Sequence, residues 1–376
     1  LKILITGGAG FIGSHTADAL IAKGHEVRLL DNLQPSVHPN GIPDYLHPDA
    51  EFILGDVRDP DAWKQALEGV EAIYHLAAYQ DYLTDFSTFF SVNAVSTALL
   101  YEIIVADPGR YPVRKVIVAA SQAVMGEGRY RCEACAGSAT DAVYPDIRIE
   151  AQLSRSEWEH RCPSCGQVLQ WQPSDESVIK PCNQYALSKH SQEQIAIQLG
   201  RRYQIPSVAM RYSIVQGPRQ SFFNAYSGAM RIFALSLLEN KAPIIYEDGN
   251  QIRDFVNIQD VVAANIQVLE KPEAAYEVYN VGGGNAWRVI DFYETMQDIV
   301  GRRIPPRMGG LYRYGDTRHI FSDTAKLQAL GWKARRSVPD SIRDYWDYLL
   351  KQEKHENILE QADQQMRQQN VIRQTV

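Results

Sequence analysis

The sequence predicts an α/β fold, a doubly wound parallel sheet. Short apolar runs alternate with amphipathic stretches of helical period, a glycine triplet joins the first run to the first such stretch, and an acidic residue closes the second run. "KILIT" is β-branched and enters Gly7-Gly-Ala-Gly-Phe-Ile-Gly13. "SHTADALIAKG" follows and ends in a glycine stop, so the order is strand, tight loop, helix. "EVRLLD", "AEFILGD", "EAIYHLAA", "RKVIVAAS" and "PSVAMRYS" are further strand-like runs, with helical segments between most of them. Beyond about Ser213 the pattern loosens. A helix-like "GAMRIFALSLLEN", a turn at "EDGNQ" and mixed short elements to about residue 345 read as a smaller C-terminal substrate lobe. The Gln-rich tail from Leu350 reads as an exposed helix that frays, with no chemistry assigned to it. No internal repeat is present.

A chain of 376 residues can bury a large core, and 45% hydrophobic with 22% charged residues is an ordinary globular balance. The formal charge of -7 argues against nonspecific binding to nucleic acid or to acidic membranes. No apolar run reads as membrane-spanning, and "LKILITGG" lacks the features of a signal peptide, so a cytoplasmic protein is expected. In a reducing compartment paired cysteines favour thiolate-bound metal over disulfides.

Gly7, Gly10 and Gly13 have the spacing at which glycine allows a tight turn, close approach of a pyrophosphate, and packing of helix on strand. Asp31 ends the second strand, where a carboxylate accepts both ribose hydroxyls and repels a 2′-phosphate; NAD is therefore expected rather than NADP. Asp56 in "LGDVRD" ends another strand. It suits either the adenine amino group or a simple turn cap.

"NQYALSKHSQEQ" puts Tyr185 and Lys189 one helical turn apart on a shared face. A phenol titrates near pH 10, so it serves as a base at neutral pH only if nearby positive charge stabilises the phenolate. Ser121 closes the strand of "VIVAASQAVMGEG", at the sheet edge where open α/β folds bind ligands; its hydroxyl can hold a substrate oxygen while Tyr185 removes the proton.

Four cysteines, Cys132, Cys135, Cys162 and Cys165, form two Cys-x-x-Cys knuckles that suit a structural zinc. Four thiolates leave no open position, so the metal is expected to do no chemistry; a redox pair or free thiols is the other reading. Arg129, Arg131, Arg148, Arg155 and Arg161 are offset by Glu133, Asp141, Asp146, Glu150, Glu157 and Glu159, so no basic stripe for nucleic acid results. Cys182 reads as a small apolar residue.

"TGGAGFIG", "DNL", "GDVRD", "HLAA", the Ser121 segment, Tyr185-x-x-x-Lys189, "GPRQ", "RDFV" and "YNVGGG" recur in an order that resembles the extended short-chain dehydrogenase/reductase family, the sugar-nucleotide epimerases and dehydratases, from Lys2 to about Leu349. The resemblance implies a Rossmann-like core and a catalytic trio of Ser121, Tyr185 and Lys189, with Lys189 also on the nicotinamide ribose. It adds Phe11, Ile12, Asn32, Val57, Leu76, Ala77 and Ala78 to the cofactor set. Asn93 matches an asparagine that steadies the catalytic region, though a helix cap explains it equally well. Arg253 and Arg313 match arginines that grip a diphosphate, with Gln122 and Asp316 beside the substrate. A homodimer is implied, built on the helices after Asn93 and Tyr185.

The sequence departs from the family pattern in three places. The gap from Ser121 to Tyr185 is much longer than in the family, and the excess, about Arg129 through Trp171, is the cysteine segment. Ile214 replaces an asparagine that usually contacts substrate phosphate, leaving Asn224 as the candidate amide, and Met125 replaces a tyrosine. The expected units are 1-128 with 172-212 for NAD, a zinc-ribbon-like insert at 129-171, a substrate lobe at 213-349 that returns some strands to the main sheet, and the tail 350-376.

The family's 4,6-dehydratases carry an Asp-Glu pair after the serine. Here Gln122 and Ala123 stand there, and neither can act as acid or base, so reversible hydride transfer at C4 of a nucleotide-diphosphate sugar is the expected reaction. A narrower resemblance, in the cysteine insert, "GPRQSFFNAYSG" and "IIYEDGNQIRDFV", is to dTDP-L-rhamnose 4-epimerases, which interconvert dTDP-L-rhamnose and dTDP-6-deoxy-L-talose. The alternatives are a uronic-acid 4-epimerase, a reductase, or a non-enzymatic NAD sensor or nucleic-acid binder.

Overall fold

The computed structural model describes residues 1–81, 83–135, 142–221, 228–352 and 358–376. Its centre is a seven-stranded parallel sheet, ordered Glu277–Val281, Ser207–Tyr212, Lys115–Ser121, Ala72–His75, Lys2–Thr6, Glu26–Asp31, Glu51–Leu54. All six apolar runs read from the sequence are strands of this sheet. The seventh, Glu277–Val281, comes from beyond Ser213 and pairs in parallel with Ser207–Tyr212.

Side chains alternate between faces along each strand, so the strands feed two cores. Ile3, Ile5, Val27, Leu29 and Ile117 pack on one side with helix Ile258–Glu270; Leu4, Leu30, Ile73, Val116 and Val118 pack on the other with Leu100, Ile104 and Ala196. Both faces are covered, as continuous apolar strands require. A third core, including Phe233, Phe255, Phe292, Tyr293, Ile342 and Tyr345, builds the C-terminal lobe. The cysteine insert has its own antiparallel sheet, in which Arg129–Arg131 pairs with Ala142–Val143 and Gln170–Gln172 around Tyr130, Cys132, Cys162 and Leu169.

Two expectations need correction. Helix Phe86–Ala106 is, by length and composition, apolar enough to cross a membrane, contrary to the reading that no run is. Half of its apolar window is buried inside the protein, and it passes through a π-helical turn at Ser91–Val95 whose Asn93 is buried and hydrogen-bonded. The tail does not simply fray. Helix Ile358–Gln368 buries Ile358 and Met366, and strand Ile372–Gln374 pairs antiparallel with Leu311–Arg313. Pairing depends on an edge supplied by a remote part of the lobe, which a local reading of polar sequence does not see.

Candidate active site

Steric limits shape the glycine loop. Gly7 has φ +66°, and a Cβ there would lie 2.8 Å from the Ala77 nitrogen; a Cβ on Gly13 would lie 2.2 Å from the Gly7 carbonyl oxygen. The chain thus passes close to itself just before helix Phe11–Ala22, whose N-cap is Gly10, and leaves the helix N-terminus open to an anion. The Asp31 carboxylate, 8% exposed, accepts from Ala9 N at 3.0 Å and Leu33 N at 2.9 Å, which ties the second strand's end to the loop. Leu76 N donates to the Thr6 carbonyl and Ala77 N to the Thr6 hydroxyl; exposed Ala78 follows. On the far side Asn32 donates to Asp56, which also takes two hydrogen bonds from the Arg58 guanidinium; those bonds, against the opposing effect of burial, hold the Asp56 carboxyl down at about 2. Phe11 and Ile12 open the helix and Val57 is buried beside Asp56.

Helix Gln184–Tyr203, which carries Tyr185 and Lys189, starts where the Asn183 side chain accepts from Ala186 N at 2.8 Å and ends at Gln204 in the left-handed region. A buried pair in which Arg211 donates twice to Glu193, both at 2.8 Å, fastens it to the sheet. The Ser121 hydroxyl lies close enough to the Tyr185 phenol to favour its ionised form, so the end of the strand and the start of the helix come together. Burial raises the Tyr185 phenol to about 12, and the Ser121 hydroxyl offsets only part of that. Lys189 is 1% exposed; its ammonium donates to the Ala119 carbonyl at 2.7 Å and to Gln192 Oε1 at 2.8 Å, and burial lowers it to about 7. His75 beneath it is lowered to about 3 by burial and by Lys189, so it is a neutral relay between Thr6 and Ser96.

Asn93 is fully buried, accepts from Tyr79 N at 2.8 Å, and donates to Tyr79 O at 3.0 Å and Ser188 Oγ at 2.9 Å. Both amide hydrogens are engaged. It is no helix cap; it positions the loop after strand Ala72–His75 against helix Gln184–Tyr203.

Gln122 is buried and donates to Ser213 Oγ at 3.1 Å and Ser322 Oγ at 2.8 Å. Ser213 in turn donates to Asp254 at 2.7 Å, a carboxyl raised by burial that also accepts from Gly283 N and Ser322 N. This network links sheet to lobe. Sequence reasoning did not find it, because Ser213, Asp254 and Ser322 carry no motif linking one to another. Arg253 and Arg313 converge on one carboxylate: Asp316 Oδ2 accepts from Arg313 at 2.9 Å and lies 3.4 Å from Arg253. Burial would raise Asp316, but Arg313, Arg253 and Arg148 together hold it below the usual range. Asn224 lies outside the described residues.

The four cysteine sulfurs lie within 4.8 Å of one another, with Cys132 and Cys165 at 3.5 Å and Cys135 and Cys162 at 3.9 Å. None of the four forms a disulfide. Thiolates about 2.3 Å from a tetrahedral zinc are spaced by about 3.8 Å, so the arrangement fits that ion. Cys162 N donates to Gln167 O, and Gly166 turns in the left-handed region, completing the knuckle.

A glycine loop under an acidic strand end, with a serine and a tyrosine meeting at the sheet's carboxyl edge, defines a dinucleotide-dependent enzyme of the short-chain dehydrogenase/reductase type. The family model described as "NAD dependent epimerase/dehydratase family" matches residues 3–145 and 163–282, and the chain belongs to that family. Residues 146–162, between the two matched segments, lie inside the cysteine insert. The chain is 32% identical over 358 residues to a dTDP-L-rhamnose 4-epimerase of Burkholderia thailandensis, covering 93% of this chain and 95% of that protein. The solved UDP-glucose 4-epimerase of Thermotoga maritima, in complex with UDP-glucose, aligns with a TM-score of 0.75 at 26% identity, covering 93% of this chain and 99% of that one. The UDP-glucuronic acid 4-epimerase of Bacillus cereus, solved with UDP-glucuronic acid and NAD, shares the fold with a TM-score of 0.73 at 23% identity, covering 93% and 99%.

Proposed function

We propose that this protein is an NAD-dependent epimerase that inverts C4 of a nucleotide-diphosphate sugar, and that dTDP-L-rhamnose and dTDP-6-deoxy-L-talose are its substrate pair. The observation that carries the reaction is the closeness of the Ser121 hydroxyl to the Tyr185 phenol, in a fold whose glycine loop suits a dinucleotide. The substrate pair rests on the Burkholderia relative and on the insert.

In this reading NAD is held by Gly7, Gly10, Gly13, Asp31 and Lys189, and when bound it takes up and returns the C4 hydride. Ser121 holds the C4 oxygen. Tyr185 removes the hydroxyl proton as the ketone forms and returns it to the same oxygen once the sugar has turned over and its other face has been reduced. A phenol at about 12 is a poor base, so turnover needs positive charge beside it, which Lys189 and the oxidised ring supply. Arg253 and Arg313 grip the diphosphate while the sugar turns over. Gln122 and Ala123 supply no acid or base for losing water, which disfavours dehydration.

Cys132, Cys135, Cys162 and Cys165 hold a structural zinc in this reading. The protein works as a homodimer in the cytoplasm; Val95, 59% exposed, and Leu187, 45% exposed, offer apolar surface on the two adjoining helices. The deciding experiment incubates purified protein, without added NAD, with a panel of dTDP- and UDP-sugars and follows C4 epimers by NMR. Epimerisation of dTDP-L-rhamnose supports the full reading. Turnover of UDP-sugars alone removes the substrate assignment, and reduction that consumes added cofactor removes the epimerase.

A further inference from the structure

The insert and the segment Leu311–His319, which carries Arg313 and Asp316, are joined through buried charge. Arg148 of the insert, its side chain 1% exposed, donates to both oxygens of Glu247 at 2.9 and 2.8 Å and to the Asp316 carbonyl at 2.8 Å. Within the insert it also donates to Trp158 O at 3.1 Å. Arg318, its side chain fully buried, donates to Glu159 of the insert at 2.9 Å, to Glu247 at 2.9 Å and to Asp248 at 2.7 and 3.0 Å. The second oxygen of Glu159 meets His319 Nε2 at 2.9 Å. His160 adds a link through Glu127, which also accepts from Arg318 N.

Charges buried this way contribute little net stability compared with apolar packing, but removing one partner strands the other. What such a network fixes is geometry. Arg148 holds the backbone of Asp316, and the Asp316 carboxylate holds Arg313 and Arg253. The Ser121–Tyr185 pair is held separately, by Asn93, Ser188 and the Arg211–Glu193 pair.

We propose that the cysteine insert positions the two diphosphate-binding arginines through Arg148 and Glu159, so that it sets affinity for the nucleotide end of the substrate rather than the chemical step. The inference rests on the reading of Arg253 and Arg313 given above. Arg148 and Glu159 are positioning residues.

The test uses the full-length protein with Arg148→Met, Arg148→Lys and Glu159→Gln, titrated calorimetrically with UDP and dTDP, alongside retained NAD by absorbance and steady-state kinetics on any sugar nucleotide the parent turns over. Expected are Kd and KM values raised about five- to thirtyfold in Arg148→Met. NAD content stays at the parental level and kcat stays within about twofold, as an interaction acting on binding alone requires. Arg148→Lys recovers only part of the loss, because an ammonium cannot span both Glu247 oxygens and the Asp316 carbonyl. Should Arg148→Met fail to fold, the other two variants carry the test. Parental nucleotide affinity in the folded variants, while Arg253→Met and Arg313→Met lose it, overturns the inference alone. Parental affinity in Arg253→Met and Arg313→Met overturns the diphosphate reading, and the inference with it.

Discussion

The Ser121 hydroxyl accepts the Ala123 N–H at 3.1 Å and lies close enough to the Tyr185 phenol to favour its ionised form, so one side chain at the sheet edge acts on the start of helix Gln184–Tyr203. Burial acts more strongly in the other direction and raises the phenol. Tyr185→Phe removes the only phenol hydroxyl at this contact and leaves the packing of the ring. We expect kcat to fall by about 10²- to 10⁴-fold, with NAD still bound after gel filtration. Turnover within a few-fold of the parent would dismiss Tyr185 as the base.

Gly13 is expected to be intolerant for a reason of space. An added Cβ meets the Gly7 oxygen at 2.2 Å and the Gly8 Cα at 2.9 Å, both backbone atoms that move only if the loop moves. Gly13→Ala should cost about 1–3 kcal/mol of stability and release NAD. Gly24, with φ +81° and nothing within 4 Å, is the control: Gly24→Ala pays strain in a surface turn but should keep its cofactor. Equal NAD retention by the two variants would contradict the close approach.

Six strands of the main sheet were legible as short apolar runs, even the edge strand Glu51–Leu54 where Leu54 is exposed, and the place of Asp31 at a strand end was legible because its distance from the glycines is set by one strand and one helix. The seventh was anticipated only as some strand returning from the lobe, not located. "EVYNV" carries Glu277 and Asn280, and Asn280 is buried because its amide donates to Ser174 O and Asp323 O, partners supplied by remote chain. Arg148 and Glu159 were counted only among offsetting charges of the insert, yet both enter the buried network. Glu247, the partner of Arg148, lies 99 residues away, and no count of signs along a segment can find it.

Lys189 offers a test in pH. Its folded value of about 7 lies below the ordinary lysine value of 10.5, so between these limits the unfolded chain binds the proton that the folded protein does not. Stability therefore rises with pH across this window, and the cost of the buried charge is greatest below about pH 7. Lys189→Met removes that dependence. In cofactor-free protein, the stability advantage of the variant should shrink by about 2 kcal/mol between pH 6.5 and 9 in urea titrations. A constant difference would mean that Lys189 stays charged in the fold.

The sulfur geometry leads to an elemental prediction. Protein purified without chelator should carry about one zinc per chain, and Cys162→Ser with Cys165→Ser should carry none. Trp158 and Trp171 lie in the insert, near Tyr312 and Phe321 of the lobe. Stripping the metal should shift their fluorescence and raise amide exchange in the insert, while the main sheet stays protected. Stoichiometric protein without zinc, or with metal unaffected by the double substitution, would remove the assignment.

Deleting residues 371–376 tests whether the tail is structural. Ile372–Gln374 pairs with Leu311–Arg313, Thr375 N donates to Gly310 O at 2.7 Å, Val376 N donates to Ser154 O at 3.0 Å, and the Arg373 guanidinium lies 4.1 Å from the centre of the Tyr314 ring. Arg373 also pairs with Glu150 of the insert at 2.6 Å, but both groups are partly exposed, and the pair contributes less than the backbone bonds do. The truncated protein should fold and keep NAD, since nothing in the glycine loop touches the tail's last strand. Amide exchange should rise at Leu311–Arg313, the edge left unpaired, and affinity for UDP or dTDP should fall, because Arg313 is on that edge. Unchanged exchange at Leu311–Arg313 would mean that the pairing does not persist in solution.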